Sequence, residues 1–372
     1  MVLSRIIVKR IIIVINALAA ILLLIAGYSY LLNPATWWLL AMAGLIFPVI
    51  YFGNFLLLCI TILINKKAAL IPLVALLSTT PTFLKCFSFG SNEGFSQAKP
   101  THQLRVVSWN VGLMSLNARD TQVAIKQNLE ILNALKETNA DVICLQEFLT
   151  SLVPNGHYNF LDSIKRTQNY PYHFYAVDYE VYEGFFVSGT LILSRFPLLK
   201  KDKMPFKGPF RGSLVSADIL FEGKKINLLS SRLQSLNFKR DEYAIFSNLK
   251  KGKADAWKGS GTMMRKIKYA YSQRLHQVSM IKGMEKREIA QIFTGDLNDV
   301  PGSYAYAQIK GDMNDAWLDK GFGIGRTFSR ISPTLRIDYI FYNKHLMATQ
   351  TKRIITKKGS DHYGLVTDFK LR

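Results

Sequence analysis

Cysteine is scarce: Cys59, Cys86 and Cys144 are the only three in 372 residues. Three thiols make no disulfide framework. Each sits in or beside an apolar run, where a thiol behaves as a small buried hydrophobe. Acidic residues also fall short, 26 Asp and Glu against 47 Lys and Arg, for a net charge of +21. Seven basic residues against Glu93 put +6 of this in residues 1–100 and leave +15 for the rest. So basic a domain favours anionic partners: nucleic acid, phosphorylated small molecules or anionic lipid headgroups. Charge does not choose among them. Internal repeats and low-complexity tracts are absent, so the chain is not a repeat array. Beyond residue 90 long apolar runs are missing as well, because they are crowded into the first ninety positions.

Ile11 to Leu32 is uncharged and apolar, about 22 residues long and enough to cross a bilayer. Trp37 to Ile64, about 28 residues, is a second such run, with Trp37 and Trp38 suited to an interfacial aromatic belt. A third run, Ala68 to Leu84, carries Pro72, Pro81, Ser78 and three threonines. Spans are expected at about 11–32, 37–64 and 68–88, making residues 1–90 a membrane anchor. Arg5, Lys9 and Arg10 precede the first span, and Lys66 and Lys67 follow the second. The positive-inside rule then puts both groups in the cytoplasm. With the third run crossing, an integral protein of the cell inner membrane carries its large domain outside the cytoplasm. Residues 91–102, rich in Gly, Ser, Asn and Pro, read as a linker, and residues 103–372 as that domain.

Within it, Leu104 to Val111 predicts a strand, Gln122 to Thr138 a helix, and Asp141 to Glu147 a buried strand, an alternating α/β pattern. Val187 to Ser194 is another strand. Ser213–Phe221 and Lys225–Leu233 predict a hairpin turning at Glu222-Gly223. Arg240 to Gly283 is a long basic insertion of helical character, broken at Lys251–Lys253 and Gly259–Gly261. It belongs to a basic stretch from Lys239 to Arg287 with Trp257, Tyr269 and Tyr271 interleaved. That stretch fits either a solvated helix face or a patch for polyanions or an anionic membrane surface. Ile289 to Phe293 reads as a strand ending in Gly295-Asp296-Leu297-Asn298-Asp299, with a short helix from Ser303. The strand Arg336 to Phe341 and the turn Gly359-Ser360-Asp361-His362 complete the domain.

Five strand ends thus carry polar groups: Asn110, Glu147, Asp296 with Asn298, Asp338, and Asp361 with His362. One such residue is ordinarily a cap or a turn. Five in one domain suggest an acidic site at one sheet edge. Oxygen donors with few histidines and no cysteine suit a hard cation, Mg²⁺ or Mn²⁺, over Zn²⁺. Such an ion neutralises phosphate oxygens, which points to phosphoester chemistry.

The set Trp109-Asn110, Leu145-Gln146-Glu147, Gly295-Asp296-Leu297-Asn298, Arg336-Ile337-Asp338-Tyr339 and Ser360-Asp361-His362 resembles the endonuclease/exonuclease/phosphatase superfamily over about residues 103–372. The resemblance implies a DNase I-like four-layer α/β sandwich, two mixed β-sheets face to face with helices outside, here preceded by three transmembrane helices. It implies Glu147 as principal metal ligand with Asn110 beside it, and Asp361 completing the metal or water network. Asp296 would orient or deprotonate the attacking water, and Asn298 would hold a phosphate oxygen or the nucleophile. His362 would donate to the phosphoryl group, kept protonated by Asp338. A water attacking phosphorus needs an acceptor, and the charge growing on the phosphoryl oxygens needs donors already aimed at it. Leu229-Ser230-Ser231-Arg232-Leu233 departs from the family pattern, which usually carries a His where Arg232 stands. Arg cannot serve as a base, but it clamps phosphate.

The expected function is a membrane-anchored, Mg²⁺- or Mn²⁺-dependent phosphoesterase hydrolysing a phosphodiester or phosphomonoester. Its substrate would be a lipid headgroup, a nucleic acid or a small phosphoester, and the bilayer would be a partner through the spans. No protein partner is inferred. The alternatives are a nuclease for DNA or RNA, and a catalytically weakened domain that binds phosphorylated ligands.

Overall fold

The computed structural model describes residues 2–90, 94–116, 121–153, 159–208, 211–236, 260–330 and 332–372. The basic residues from Lys239 to Lys258, and Trp257 among them, lie outside these. The N-terminal unit contains α1 (Val2–Tyr28), α2 (Trp38–Ala41), α3 (Phe47–Ile64) and α4 (Leu70–Cys86). Two stretches are long and apolar enough to cross a membrane, Ile7–Leu31 and Trp38–Ile64. The third expected span is the shorter α4, of 17 residues. Its hydroxyls do not break the helix, because Ser78 and Thr79 donate back to Ala75 O and Thr80 to Leu76 O. α1 and α3 run antiparallel: Asn16 Nδ2 donates to Thr61 Oγ1 at 3.0 Å. Near the far end of α1, Thr82 of α4 donates to Gly27 O at 2.7 Å.

Fourteen strands follow among the described residues: β1 (Ser88–Phe89), β2 (Leu104–Asn110), β3 (Val142–Thr150), β4 (Tyr172–Val181), β5 (Phe186–Ser194), β6 (Leu198–Pro205), β7 (Ser213–Phe221), β8 (Lys224–Arg232), β9 (Ala290–Asp296), β10 (Asn314–Asp315), β11 (Phe322–Gly323), β12 (Asp338–Tyr342), β13 (Leu346–Ile354) and β14 (Gly364–Leu371). One six-stranded sheet has the order β13-β14-β2-β3-β5-β4, the other β10-β12-β9-β8-β7-β6. Each is antiparallel except for one parallel pair, β2 with β3 and β8 with β9. The hairpin β7–β8 turns where expected, with Glu222 and Gly223 both at positive φ.

Alternation along the strands sorts the side chains into layers. Leu104 and Val106 of β2, Val142 and Cys144 of β3, Ile226 and Leu228 of β8, Ile292 of β9 and Ile340 of β12 meet between the sheets. Val107 and Trp109 face outward with Ile143 and Leu145, against Ile131 and Leu135 of the helix Thr121–Thr138 and Ile164 of Phe160–Gln168. On the far side Leu229, Phe293, Tyr339 and Phe341 pack on Val278 and Ile281 of Ser260–Lys282 and on Tyr306 and Ile309 of Tyr304–Lys310. Helices, sheet, sheet, helices make four layers. The helix starts at Ser260 and takes in Gly261, so that part of the expected Gly259–Gly261 break is helical.

The N-terminal unit docks on the domain. Ser29 Oγ donates to Gly302 O at 3.2 Å, and Arg336 reaches Lys85 O at 2.8 Å while pairing with buried Asp315 at 2.6 Å. β1 pairs with β11. The described part of the expected linker is tied down too, with Ser96 N–H donating to Gln350 at 2.9 Å.

Candidate active site

The inward alternation that fills the inter-sheet core with Val, Ile and Leu continues to the strand ends and there turns polar. On β2 the residue after inward Val106 and Ser108 is Asn110. On β8 it is Arg232, after Leu228 and Ser230. Asp296 of β9 follows Ile292 and Thr294, and Asp338 of β12 lies one step from Ile340. Pairing fixes the row: Asp338 is opposite Asp296, and Asp296 is opposite Arg232. In the other sheet Asn110 is opposite Gln146. The ends of both parallel pairs therefore meet at one edge of the cleft. Gly295 allows this approach, because a Cβ there would come within 1.9 Å of Ser231 O.

Glu147 reaches the cleft by a different device. The β3–β5 ladder shifts register between Leu145 and Phe148, and Glu147 takes φ of 50°. A bulge re-aims a side chain, and positive φ on a non-glycine residue is a conformation the surroundings must hold in place. The carboxylate so placed forms an ion pair with Arg232 Nε, which also lies 3.9 Å from Asp296 Oδ2. Asn110 Nδ2 joins the sheets, 3.0 Å from Asp296 Oδ2 and 3.5 Å from Glu147 Oε1.

Asp296 and Asp338 face each other as cross-strand neighbours, an unfavourable pairing of like charges. His362 resolves it. Its Nδ1 donates to Asp338 Oδ2 at 3.0 Å, and its Nε2 lies 4.0 Å from Asp296 Oδ2. Burial alone would push the imidazole toward neutrality, but Asp338 first and Asp296 next outweigh it and hold the pKa up at about 10. The Asp296 carboxyl is raised by burial first and by Asp338 second, while His362, Arg232 and the Asn298 N–H pull it back.

Asn298, at φ 50°, gives its N–H to Asp296 Oδ1 at 2.7 Å and its Nδ2 to Leu233 O at 2.9 Å and Asp296 Oδ2 at 3.0 Å. It braces Asp296. Asp361 turns to Arg330, 2.9 Å away, and reaches the cluster only as a charge acting on His362. Two supporting residues carried no sequence signal. Thr327 Oγ1 accepts the N–H groups of Ile337 and Asp338 at 2.9 and 3.0 Å. Arg330 lies in an irregular stretch without periodicity. Ser360, next to Asp361 in the same turn, locks the His362 turn to β2: it donates to Asn110 O at 2.8 Å and accepts the His362 N–H at 3.0 Å.

Asp296, Asp338 and His362 bring their ligand-type atoms within 4.8 Å of one another, and this group could hold a metal ion. His362 Nδ1, however, is spent on Asp338, and a protonated ring compensates the charge of the two carboxylates. The oxygens of Glu147 and Asp296 are donors that suit a hard divalent cation, while Asn110 turns its Nδ2 to both and its Oδ1 to the Gly112 N–H. Sulfur is absent from this set, so the residues fit such an ion.

A solved endonuclease/exonuclease/phosphatase from Beutenbergia cavernae DSM 12333 shares this fold, with a TM-score of 0.53 and 18% identity over 73% of this chain and 72% of that one. A family protein from Leptotrichia buccalis C-1013-b aligns at 17% identity, 72% and 99% coverage and a TM-score of 0.49. The human Nocturnin catalytic domain aligns at 17%, 73% and 94%, also at 0.49. No curated protein matches the chain. A family model described as a domain of unknown function (DUF8431) matches residues 9–86. The Endonuclease/Exonuclease/phosphatase family model matches residues 107–362, from the fourth residue of β2 to His362. Every side chain of the cluster falls inside that match, and the chain belongs to the endonuclease/exonuclease/phosphatase family.

Proposed function

We propose that residues 103–372 hydrolyse a phosphate ester by direct attack of water, with a divalent cation held by the carboxylates of Glu147 and Asp296, which Asn110 positions. The observation that carries this is the convergence of Asn110, Glu147, Arg232, Asp296, Asp338 and His362 on one cleft edge from both sheets. The bound cation supplies charge neutralisation at the phosphate oxygens. Asp296 takes the proton of the attacking water, a role suited to a carboxylate whose pKa burial has raised. His362 stays protonated through neutral pH and donates to a phosphoryl oxygen, with Asp338 fixing its ring. Asn298 holds Asp296 in position. The test uses the full chain in detergent, a bis-aryl phosphodiester and Mg²⁺ or Mn²⁺. Glu147→Ala and Asp296→Asn are each expected to lose about a hundredfold or more in rate with an unchanged fold. Inactivity of the wild type, or full activity in both variants, refutes the reading.

The Arg232–Glu147 ion pair favours a second reading, an attenuated enzyme whose own guanidinium holds the metal carboxylate. A large rate gain in Arg232→His would support it, and an unchanged or lower rate would exclude it.

We also infer that residues 1–90 span the inner membrane. Arg5, Lys9, Arg10, Lys66 and Lys67 belong to one end of the helical unit and the catalytic domain to the other. With α4 as the last crossing, the positive-inside rule puts the domain outside the cytoplasm. Protease accessibility in spheroplasts tests this: protection of the domain until lysis reverses the topology.

A further inference from the structure

A cavity of about 340 Å³ lies where the helical unit meets the catalytic domain. Tyr30, Leu31 and Lys85 line it from the N-terminal side, Tyr306, Gln308 and Lys310 from the domain. It shares no residue with the active-site cluster. Lys85 Nζ stands 3.8 Å over the Tyr30 ring, and its charge and that of Lys310 repel one another. Among the described residues neither lysine forms an ion pair with a carboxylate. Gln308 gives its carbonyl to Lys282 at 2.8 Å, which leaves the amide NH₂ as its free donor. Two ammonium groups, neither in such an ion pair, and an amide donor line a space with room for a ligand, although Asp319 also acts on Lys310 as a more distant charge. Lysine is a point-charge binder of phosphate, and an anion between the two relieves their repulsion.

The position of the cavity selects the ligand. It opens at the ends of α1 and α4 that face the domain, with Tyr30 in its wall and exposed Leu31 (64%) at its edge. An apolar edge with a tyrosine next to a basic pocket is the chemistry of the bilayer interface, where headgroup phosphates lie above acyl chains.

We propose that this cavity binds the phosphate of an anionic lipid headgroup in the leaflet next to the catalytic domain, joining Lys85 of the helical unit to Lys310 of the domain. The proposal rests on the membrane reading of residues 1–90 and is independent of the catalytic one. Native mass spectrometry of the full, delipidated chain, in EDTA so that nothing turns over, measures it. The probes are phosphatidylglycerol, phosphatidylcholine and soluble glycerol 1-phosphate. Phosphatidylglycerol is expected to be retained about tenfold more tightly than phosphatidylcholine. Lys85→Gln with Lys310→Gln should abolish the preference, and Lys85→Arg with Lys310→Arg should keep it, with matching circular dichroism in all three proteins. Equal retention of the two lipids, or a preference surviving the glutamine pair, overturns the proposal. Glycerol 1-phosphate binding as tightly as phosphatidylglycerol also overturns it, by assigning the pocket to a free phosphate ester. A wild-type chain that stays monodisperse without detergent overturns the membrane reading itself, a result distinct from any lipid titration.

Discussion

Arg232→Gln tests how the cleft is charged without its metal. In the wild type the guanidinium pairs with Glu147 and stands 3.9 Å from Asp296 Oδ2. At an effective dielectric of about 20, unit charges at that separation attract by about 4 kcal/mol. Both members of the Glu147 pair are about one-fifth exposed, and solvent screens part of this. The net contribution of a charge-assisted contact here is about 1–3 kcal/mol. Glutamine keeps a donor but loses the charge, leaving Glu147 and Asp296 without it. The metal-free variant should therefore unfold more easily by about that amount. A divalent cation entering the variant displaces no guanidinium, so its affinity should rise by the same free energy, about five- to 150-fold. The two effects have opposite signs, so the melting-temperature gain on adding Mn²⁺ should be larger in the variant. Calorimetric titration with Mn²⁺, together with thermal melts in EDTA and in metal, measures both. A metal-free melting point equal to wild type and an affinity within about twofold of it would refute the reasoning.

Asp338→Asn removes the largest of the charges that hold His362 protonated. A histidine whose folded pKa lies above its unfolded value stabilises the protein fully below about 6.5 and loses that contribution as pH rises through the folded value, here about 10. In the variant that loss, and the alkaline fall in activity, should move to lower pH. Melting curves across pH and a histidine NMR titration check it, and an unmoved alkaline limb refutes it. Gly295→Ala puts a methyl 1.9 Å from Ser231 O in the parallel β8–β9 pair. Chemical denaturation should show a loss of about 1–3 kcal/mol or more, and a neutral result would mean the strands can separate there at no cost.

Much of the domain was legible in the sequence because the signals are local. The apolar runs Leu104–Val111 and Ile289–Phe293 marked both strands, and the polar residues that stop them put Asn110 and Asp296 at the strand ends. Glu222-Gly223 gave the hairpin, and the apolar runs gave the N-terminal helices. The third of these is shorter than the other two, and its hydroxyls, which weakened the apolar signal, are spent on the helix's own carbonyls.

Partners were not legible. Arg232 read as a phosphate clamp, yet in the fold it lies on Glu147. Asn298 read as a holder of a phosphate oxygen or of the nucleophile, and in the fold its amide donates to Asp296 and Leu233. Asp361 read as part of a metal network and is paired with Arg330. By itself the sequence determined which residue types stand at the strand ends, because an apolar run and the polar residue that stops it are neighbours in the chain. The register that sets Asp338, Asp296 and Arg232 in one row, and the bulge that turns Glu147 toward them, were decided only by the tertiary structure. Those pairings join segments tens to hundreds of residues apart, and their energy exists only once two sheets have packed.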